Sequence, residues 1–69
     1  MGDPRLGSRL KEFRTAAALT QQGLADKAGV SRKTINTVEN GVFIPSTVLA
    51  LELARALNTT VEALFFLKD

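Results

Sequence analysis

Residues 20–41 read TQQGLADKAGVSRKTINTVENG, and this stretch decides the fold of the chain. Thr20 is a favourable N-cap, and the residues after it have the spacing of a short helix. Gly29 follows that helix at the position where glycine adopts the left-handed conformation most easily. Ser31 is a second N-cap, and Asn40-Gly41 ends the helix that it begins. The stretch therefore predicts two short helices joined by a tight turn.

The apolar residues of this stretch suit close packing between the two helices. In the first helix, Leu24 is positioned for burial and Ala25 is small enough for a close helix crossing. In the second helix, Ile35 and Val38 lie three residues apart and face the same side. Together these features are typical of a helix-turn-helix, in which one helix supports and the other enters the DNA major groove. We therefore predict a helix-turn-helix over about residues 20–40.

The chain before this motif has the pattern of another helix. Apolar residues recur at intervals of three and four from Leu6 to Ala17. Asp3 is a suitable N-cap, and Pro4 suits the first helical position. The pattern predicts helix 1 over about Pro4–Ala17, with Gly7 as a weak position inside it.

The chain after the motif predicts two more helices. Ser46 is the N-cap of helix 4, which is apolar on more than one face and is therefore expected to be central. Asn58 is a plausible left-handed stop for that helix. Thr60 is the N-cap of helix 5, which is expected to carry Val61, Leu64, Phe65 and Leu67. Because no stretch has a useful strand pattern, the sequence predicts an all-α domain of five helices.

The composition is that of a small domain without covalent or metal staples. The chain has 69 residues and contains neither Cys nor His. We therefore expect a single domain, no disulfide, no metal site and a reducing cytosol. No apolar stretch is long enough to cross a bilayer. The carboxylates Asp26, Glu39, Glu52 and Glu62 fall on separate predicted helices, so we expect no catalytic site.

The charge is unevenly distributed along the chain. The net charge is +2, and the basic excess lies in residues 1–45, whereas residues 46–69 have one more acidic than basic residue. The positive part of the chain is the part that carries the helix-turn-helix. This favours a nucleic-acid partner, although an ordinary solvated surface is an equal alternative on charge alone.

Nearly the whole chain resembles the DNA-binding domain of the Cro and phage-repressor family, the XRE type. The resemblance implies a compact five-helix bundle of the lambda-repressor-like type over residues 5–67, with helices 2 and 3 forming the helix-turn-helix. It also implies a transcriptional regulator, most often a repressor, that binds double-stranded DNA at a palindromic operator as a homodimer. The matching residues are Thr20, Gln21, Leu24, Ala25, Gly29, Val30, Ser31, Ile35, Glu39, Asn40, Gly41, Pro45, Leu64 and Phe65.

Four residues are predicted to contact DNA bases. The resemblance places Arg32 and Lys33 at the first exposed positions of the recognition helix, where both can donate to guanine O6 and N7. The alternative is that they contact phosphates only. Asn36 can pair with adenine N6 and N7, and Thr37 can offer its methyl group to thymine. For these two residues the alternative is a solvated helix face.

Five further residues are predicted to contact DNA phosphates. Gln21, Asn40 and the backbone at Gly41 match phosphate contacts of the family, and Asn40 and Gly41 also serve to end the helix. Thr34 either contacts a phosphate or bonds its own backbone. Gln22 stands where the family often has an acidic residue, so DNA meets less negative charge there.

The resemblance also assigns a structural ion pair and leaves one aromatic residue to explain. It pairs Arg14 with Glu39 across the base of the helix-turn-helix, and we expect this pair to be partly buried. In a helix, Phe65, Phe66 and Leu67 cannot all face one core, because neighbours lie about 100° apart. We predict that Phe66 in helix 5 contacts the second copy of a symmetric dimer, and a single exposed aromatic residue is the alternative.

Two other functions fit the same fold. The chain would also suit the antitoxin of a toxin–antitoxin pair, which binds a partner protein as well as its operator. It would also suit an interaction-only helix-turn-helix module, although Arg32, Lys33 and Asn36 argue against that reading. In each case we expect no cofactor, no membrane and a cytoplasmic protein, bacterial or phage-encoded, that is associated with the nucleoid when it binds DNA.

Overall fold

A computed structural model describes residues 2–68 of the chain. Within that range it has five helices and a two-stranded antiparallel sheet, so the predicted count of helices is confirmed, and the domain is mostly helical but not entirely so. In chain order the elements are β1 (Leu6–Ser8), α1 (Leu10–Ala16), α2 (Gln21–Ala28), α3 (Arg32–Glu39), α4 (Thr47–Ala56), α5 (Val61–Leu64) and β2 (Phe65–Leu67).

The helix-turn-helix forms as its capping residues predict. The Thr20 side chain accepts a hydrogen bond from the backbone N–H of Gly23 at 2.9 Å, and Ser31 accepts one from Thr34 at 3.2 Å. Gly29 between them has φ +73°, the left-handed conformation expected for the turn. Ser46 and Thr60 cap α4 and α5 in the same way. Local capping chemistry thus fixes where α2 to α5 begin.

The core lies where α2, α3 and α4 meet the first and last helices. α2 packs against both α3 and α4, and Ala25 of α2 is fully buried. α3 is held against the rest of the domain by its buried residues, Ile35 and Val38, and the opposite side of α3 faces solvent. The large side chains with essentially no exposure are Leu10, Leu24, Ile35, Val38, Leu53 and Leu64.

The N-terminal segment differs from the predicted helix. Helix 1 begins at Leu10 rather than Pro4, because residues 6–8 form a strand. The Asp3 carboxylate bonds the backbone and guanidinium of Arg5 instead of capping a helix, and these bonds lower the pKa of Asp3 to about 2. Gly7 is buried in the strand, where an added Cβ would lie 2.3 Å from the Phe66 ring. A larger residue there would displace the Phe66 ring.

The C-terminal segment explains why the N-terminal strand forms. α5 stops at Leu64, and the three residues after it pair with β1 in the register Leu6↔Leu67, Gly7↔Phe66 and Ser8↔Phe65. Phe66 therefore lies in a strand and not in helix 5. Its half-buried ring packs on Gly7 and lies 4.1 Å below the Arg9 guanidinium, a cation–π contact.

The prediction that α4 is central holds for one of its faces only. Ala50, Leu53 and Ala54 are buried, and Asn58 ends the segment with φ +54°, the left-handed stop that was expected. On the other face, Val48 and Leu51 are 71% and 58% exposed. No other helix of the described chain covers this face, so α4 presents apolar residues to solvent.

Replacing Ala18 by glycine is expected to stabilise the fold by about 1 kcal/mol, because Ala18 has φ +59°, a left-handed conformation that strains a residue with a Cβ. The neighbouring Ala17→Gly variant is the matched control. Ala17 has φ −86°, so glycine there only adds freedom to the unfolded chain and should destabilise. Thermal unfolding followed by circular dichroism should separate the two midpoints by several degrees. Equal midpoints would contradict the strain at Ala18.

Candidate nucleic-acid interface

The exposed side of α3 brings the four predicted base contacts together. Ile35 and Val38 are buried against the core and turn the opposite side of the helix outward. There Arg32 and Lys33 are exposed. Asn36 lies one turn after Arg32, and Thr37 lies one turn after Lys33. A shallow hollow lies among Arg32, Lys33 and Asn36. Four side chains with donors or a methyl group thus occupy one helix face.

The two cations at the start of α3 are free to meet a ligand. Ion pairs within residues 2–68 involve other arginine residues, namely Arg5, Arg14 and Arg55. In that part of the chain, Arg32 and Lys33 have no acidic partner to neutralise them. A guanidinium and an ammonium group in this state favour a polyanion, and the guanidinium can bond guanine at two points.

Arg14 and Glu39 form a buried ion pair beneath this face. Arg14 Nε lies 2.6 Å from Glu39 Oε2, and Nη2 donates to Oε1 at 3.2 Å. The two side chains are only 10% and 2% exposed, and Arg14 Nη1 also donates to the Leu19 carbonyl at 2.8 Å. The hydrogen bonds that Arg14 donates to the Glu39 carboxylate raise the pKa of Arg14, so the guanidinium remains charged. The pair ties the end of α3 to α1.

A chain of amide side chains extends from this pair towards the exposed face. Gln21 Nε2 donates to Glu39 Oε1 at 3.1 Å, and Asn36 Nδ2 donates to Gln21 Oε1 at the long distance of 3.5 Å. Asn40 Nδ2 donates to Asn36 Oδ1 at 3.1 Å. Gln21, Asn36 and Asn40 are therefore oriented by one another and by the buried carboxylate. The sequence offers no local signal for the two contacts of Gln21, because Gln21 lies on α2 whereas Glu39 and Asn36 lie on α3.

The remaining predicted phosphate contacts are arranged separately. Gln22 is exposed and bonds Asp26 one turn along α2 at 2.8 Å, so it does not join the amide chain. The Thr34 hydroxyl lies 2.9 Å from that of Ser31, so its partner is a neighbouring side chain and not the backbone group considered for it. Gly41 is exposed directly after α3. These residues border α3 but do not form one cluster.

Two apolar residues beside α3 were missed by the sequence analysis. Val42 and Phe43 are 59% and 43% exposed, and both backbone N–H groups donate to the Thr37 carbonyl, at 3.0 and 3.3 Å. They line a hollow together with Lys33, Thr34 and other residues of α3. A run of three apolar residues in a loop after a helix is the signal that could have found them.

Residues 2–68 were also compared with the requirements of a metal site and of a membrane span. Within residues 2–68, no group of three His, Cys, Asp or Glu side chains is placed to hold a metal ion. In the same part of the chain, no helix has both the length and the apolar character that a membrane span requires.

The fold and this face define a helix-turn-helix protein, and comparison with known proteins supports that class. The helix-turn-helix family model HTH_3 matches residues 10–64. The chain is 44% identical over 62 residues to an uncharacterized HTH-type transcriptional regulator of Archaeoglobus fulgidus, a match covering 90% of this chain and 89% of the relative. The chain therefore belongs to the HTH_3 family, the XRE type, whose members are transcriptional regulators and not enzymes.

Solved structures agree with this assignment. The restriction-modification controller protein C.AhdI from Aeromonas hydrophila is 41% identical, with a TM-score of 0.75 over 78% of this chain and 82% of that protein. SinR, described as the master regulator for biofilm formation and solved in complex with DNA, is 25% identical, with a TM-score of 0.74 over 78% of this chain and 87% of SinR.

Proposed function

We propose that this protein binds a specific duplex DNA sequence as a homodimer and represses transcription from that site. The observation that supports the proposal most directly is the exposed face of α3, where Arg32 and Lys33 have no acidic partner among residues 2–68. A helix of this kind fits the major groove, in which guanine presents two acceptors to a basic side chain. Asn36 and Thr37 extend the same face for reading adenine and thymine.

In this proposal the residues around α3 bind phosphates and set the register of the helix on DNA. Gln21, Gln22, Thr34, Asn40 and Gly41 are the proposed contacts. The hydrogen bond from Gln21 to the buried Glu39 orients the glutamine before DNA arrives. Phosphate contacts of this type position the protein without reading sequence, so specificity falls to the four residues of α3.

The second copy is proposed to cover the exposed apolar side of α4. That side borders a groove of about 410 Å³, here called the α4 groove. A contiguous exposed apolar surface is typical of an interaction site. Phe66, which the sequence suggested for this role, has its ring occupied by Gly7 and Arg9, so we centre the interface on Leu51. The α4 groove is lined by Leu6, Ile44, Pro45, Thr47, Ala50, Leu51, Val61 and Phe65.

The size of the domain suits a dimer on adjacent half-sites. Its extents are 30 × 21 × 20 Å. Half-sites one helical turn apart have centres separated by about 34–36 Å. Two copies side by side therefore have room to place one α3 helix in each of two successive major grooves on the same side of the duplex.

Selection of binding sites from a random duplex pool at physiological salt tests both parts of the proposal. We expect the parent to enrich a palindrome with half-sites one turn apart. Leu51→Glu, a change at an exposed helical position, should make the protein monomeric in analytical ultracentrifugation and abolish enrichment of the full palindrome. Ala16→Glu, on the exposed side of α1, is the matched control and should remain dimeric.

Two results would contradict the proposal in different ways. A Leu51→Glu variant that stays dimeric would place the interface elsewhere, and Phe66→Glu would then be the next variant to measure. A parent that enriches no sequence would refute operator binding, and the α4 groove would become a site for a partner protein, as in the antitoxin and interaction-module alternatives.

A further inference from the structure

A small hollow with apolar walls lies on the border between α3 and the loop that follows it. Its volume is about 290 Å³, and we call it the Phe43 hollow. One wall belongs to the recognition helix and the other to the loop. The hollow is separate from the α4 groove, because no residue lines both. Its lining residues are Ser31, Lys33, Thr34, Thr37, Val42 and Phe43.

The loop wall is fixed to the recognition helix. The backbone N–H groups of Val42 and Phe43 both donate to the Thr37 carbonyl, at 3.0 and 3.3 Å. The Gly41 N–H donates to the Val38 carbonyl at 3.2 Å. The loop therefore moves with α3 as one unit, and its two apolar side chains accompany the helix wherever the helix binds.

The threonine hydroxyl groups of the hollow already have hydrogen-bond partners within the domain. The Thr37 hydroxyl donates to the Lys33 and Thr34 carbonyls, both at 3.0 Å. The Thr34 hydroxyl is paired with Ser31 at 2.9 Å. Since the hydroxyl groups are engaged within the helix, the methyl groups and the Phe43 ring provide the free surface. Lys33 alone contributes a charge at the edge.

We infer that the Phe43 hollow receives the 5-methyl group of a thymine in the operator. The inference rests on the proposed binding of α3 in the major groove, where the thymine methyl is the apolar group that an A·T pair displays. Lys33 at the edge of the hollow is already proposed to bond a guanine edge, and the apolar walls beside it suit the methyl group of a nearby thymine. Thr37 and Phe43 are thereby specificity-determining residues, and Phe43 acts from outside the recognition helix.

Replacing single thymines of the selected operator by deoxyuridine tests this inference, because uracil keeps the base pair and removes only the methyl group. We expect one position in each half-site to lose about fourfold in affinity, the effect of one buried methyl or methylene group. The same replacement should change the affinity of Phe43→Ala by less than about twofold, since that variant has lost the wall of the hollow.

A matched pair of variants at Thr37 separates the methyl contact from the hydroxyl. Thr37→Ser removes the methyl group and keeps the hydroxyl, so it should lose sensitivity to uracil. Thr37→Val keeps a methyl group in place and removes the hydroxyl, so it should retain that sensitivity. Thermal unfolding of each variant confirms that the domain is intact, and we expect this for Phe43→Ala because the side chain lies on the surface.

The outcomes distinguish this inference from the proposed function. If the parent selects an operator but no thymine-to-uracil replacement weakens binding, or if Phe43→Ala and Thr37→Ser retain the full effect of uracil, the inference fails and operator binding stands. If the parent selects no operator, operator binding and the inference fail together.

Discussion

Replacing Glu39 by alanine is expected to lower the free energy of unfolding by about 3–5 kcal/mol. The Glu39 side chain is 2% exposed, and its carboxylate is the ionic partner of the buried Arg14 guanidinium. Its removal leaves a cation in the interior without a counter-charge, which costs far more than a lost surface pair. It also removes the acceptor that orients Gln21. A domain of this size has little stability to spare, so the variant should be largely unfolded near 37 °C.

Urea denaturation followed by far-UV circular dichroism measures this effect, and Glu52→Ala is the matched control. Glu52 forms its ion pair with Arg55 at the surface of α4, where such pairs are worth about 0–1 kcal/mol. A double variant, Arg14→Met with Glu39→Leu, should recover much of the loss, because it leaves no unpaired charge. If the free energies of unfolding of Glu39→Ala and Glu52→Ala differ by less than about 1 kcal/mol, the buried pair does not stabilise the fold as we argue.

Replacing both Arg32 and Lys33 by alanine is expected to weaken binding to the selected operator by about 100-fold or more. Each good contact to a guanine edge contributes roughly 1–3 kcal/mol of discrimination, and these two side chains are proposed to make the guanine contacts. Both side chains are exposed on α3, so the variant should unfold at the same temperature as the parent. Fluorescence anisotropy with a labelled operator duplex gives the affinities.

A second double variant separates base contact from simple charge. Arg55→Ala with Lys68→Ala also removes two positive charges, one from α4 and one from the residue after β2. This double variant should weaken binding less than tenfold. The salt dependence of the residual binding reports the phosphate contacts that remain. If the two double variants lose the same affinity, Arg32 and Lys33 act only as positive charge and the base contacts assigned to them are wrong.

The parts of the fold that local chemistry determines could be predicted from the sequence. Thr20 and Ser31 each accept a hydrogen bond from a backbone N–H three residues later. Gly29 adopts a positive φ, which glycine allows without help from distant residues. Because these signals act between residues close together in the chain, they can be recognised in a single sequence. The limits of α2 and α3 were therefore predicted almost correctly. Because α3 was placed correctly, Arg32 and Lys33 were predicted to be neighbours on an exposed face, which the structure also shows.

The sheet could not be predicted, because its partners are far apart in the chain. Residues 6–8 and 65–67 are each too short to display a strand period, and each follows or precedes residues with helical spacing. Asp3-Pro4 has the chemistry of a helix start, yet the Asp3 carboxylate binds Arg5. Only the pairing of the two segments makes either of them a strand, and pairing is not encoded locally.

The site has two features of the same non-local kind. Gln21 was assigned to DNA phosphate by resemblance, and its contact with Glu39 appears only when α2 and α3 are packed together. The apolar residues of α4 predicted a central helix, but the sequence does not state how many elements cover it. Leu51 is exposed because the other helices of the domain pack against the side of α4 that carries Ala50, Leu53 and Ala54.

The pairing of β1 with β2 makes the backbone of this domain almost a closed ring. Leu6 lies opposite Leu67, and the Lys68 N–H donates to the Arg5 carbonyl at 2.6 Å, so the outer ends of the two strands lie side by side. A short bridge between them would join the ends without disturbing the helices, and such a cyclised chain would be stabilised because the closure restricts the unfolded state. The same proximity permits circular permutation, with the new ends opened at a surface turn. The chain could therefore begin and end elsewhere and still form the same packed domain, provided that α2 and α3 stay joined by their own turn.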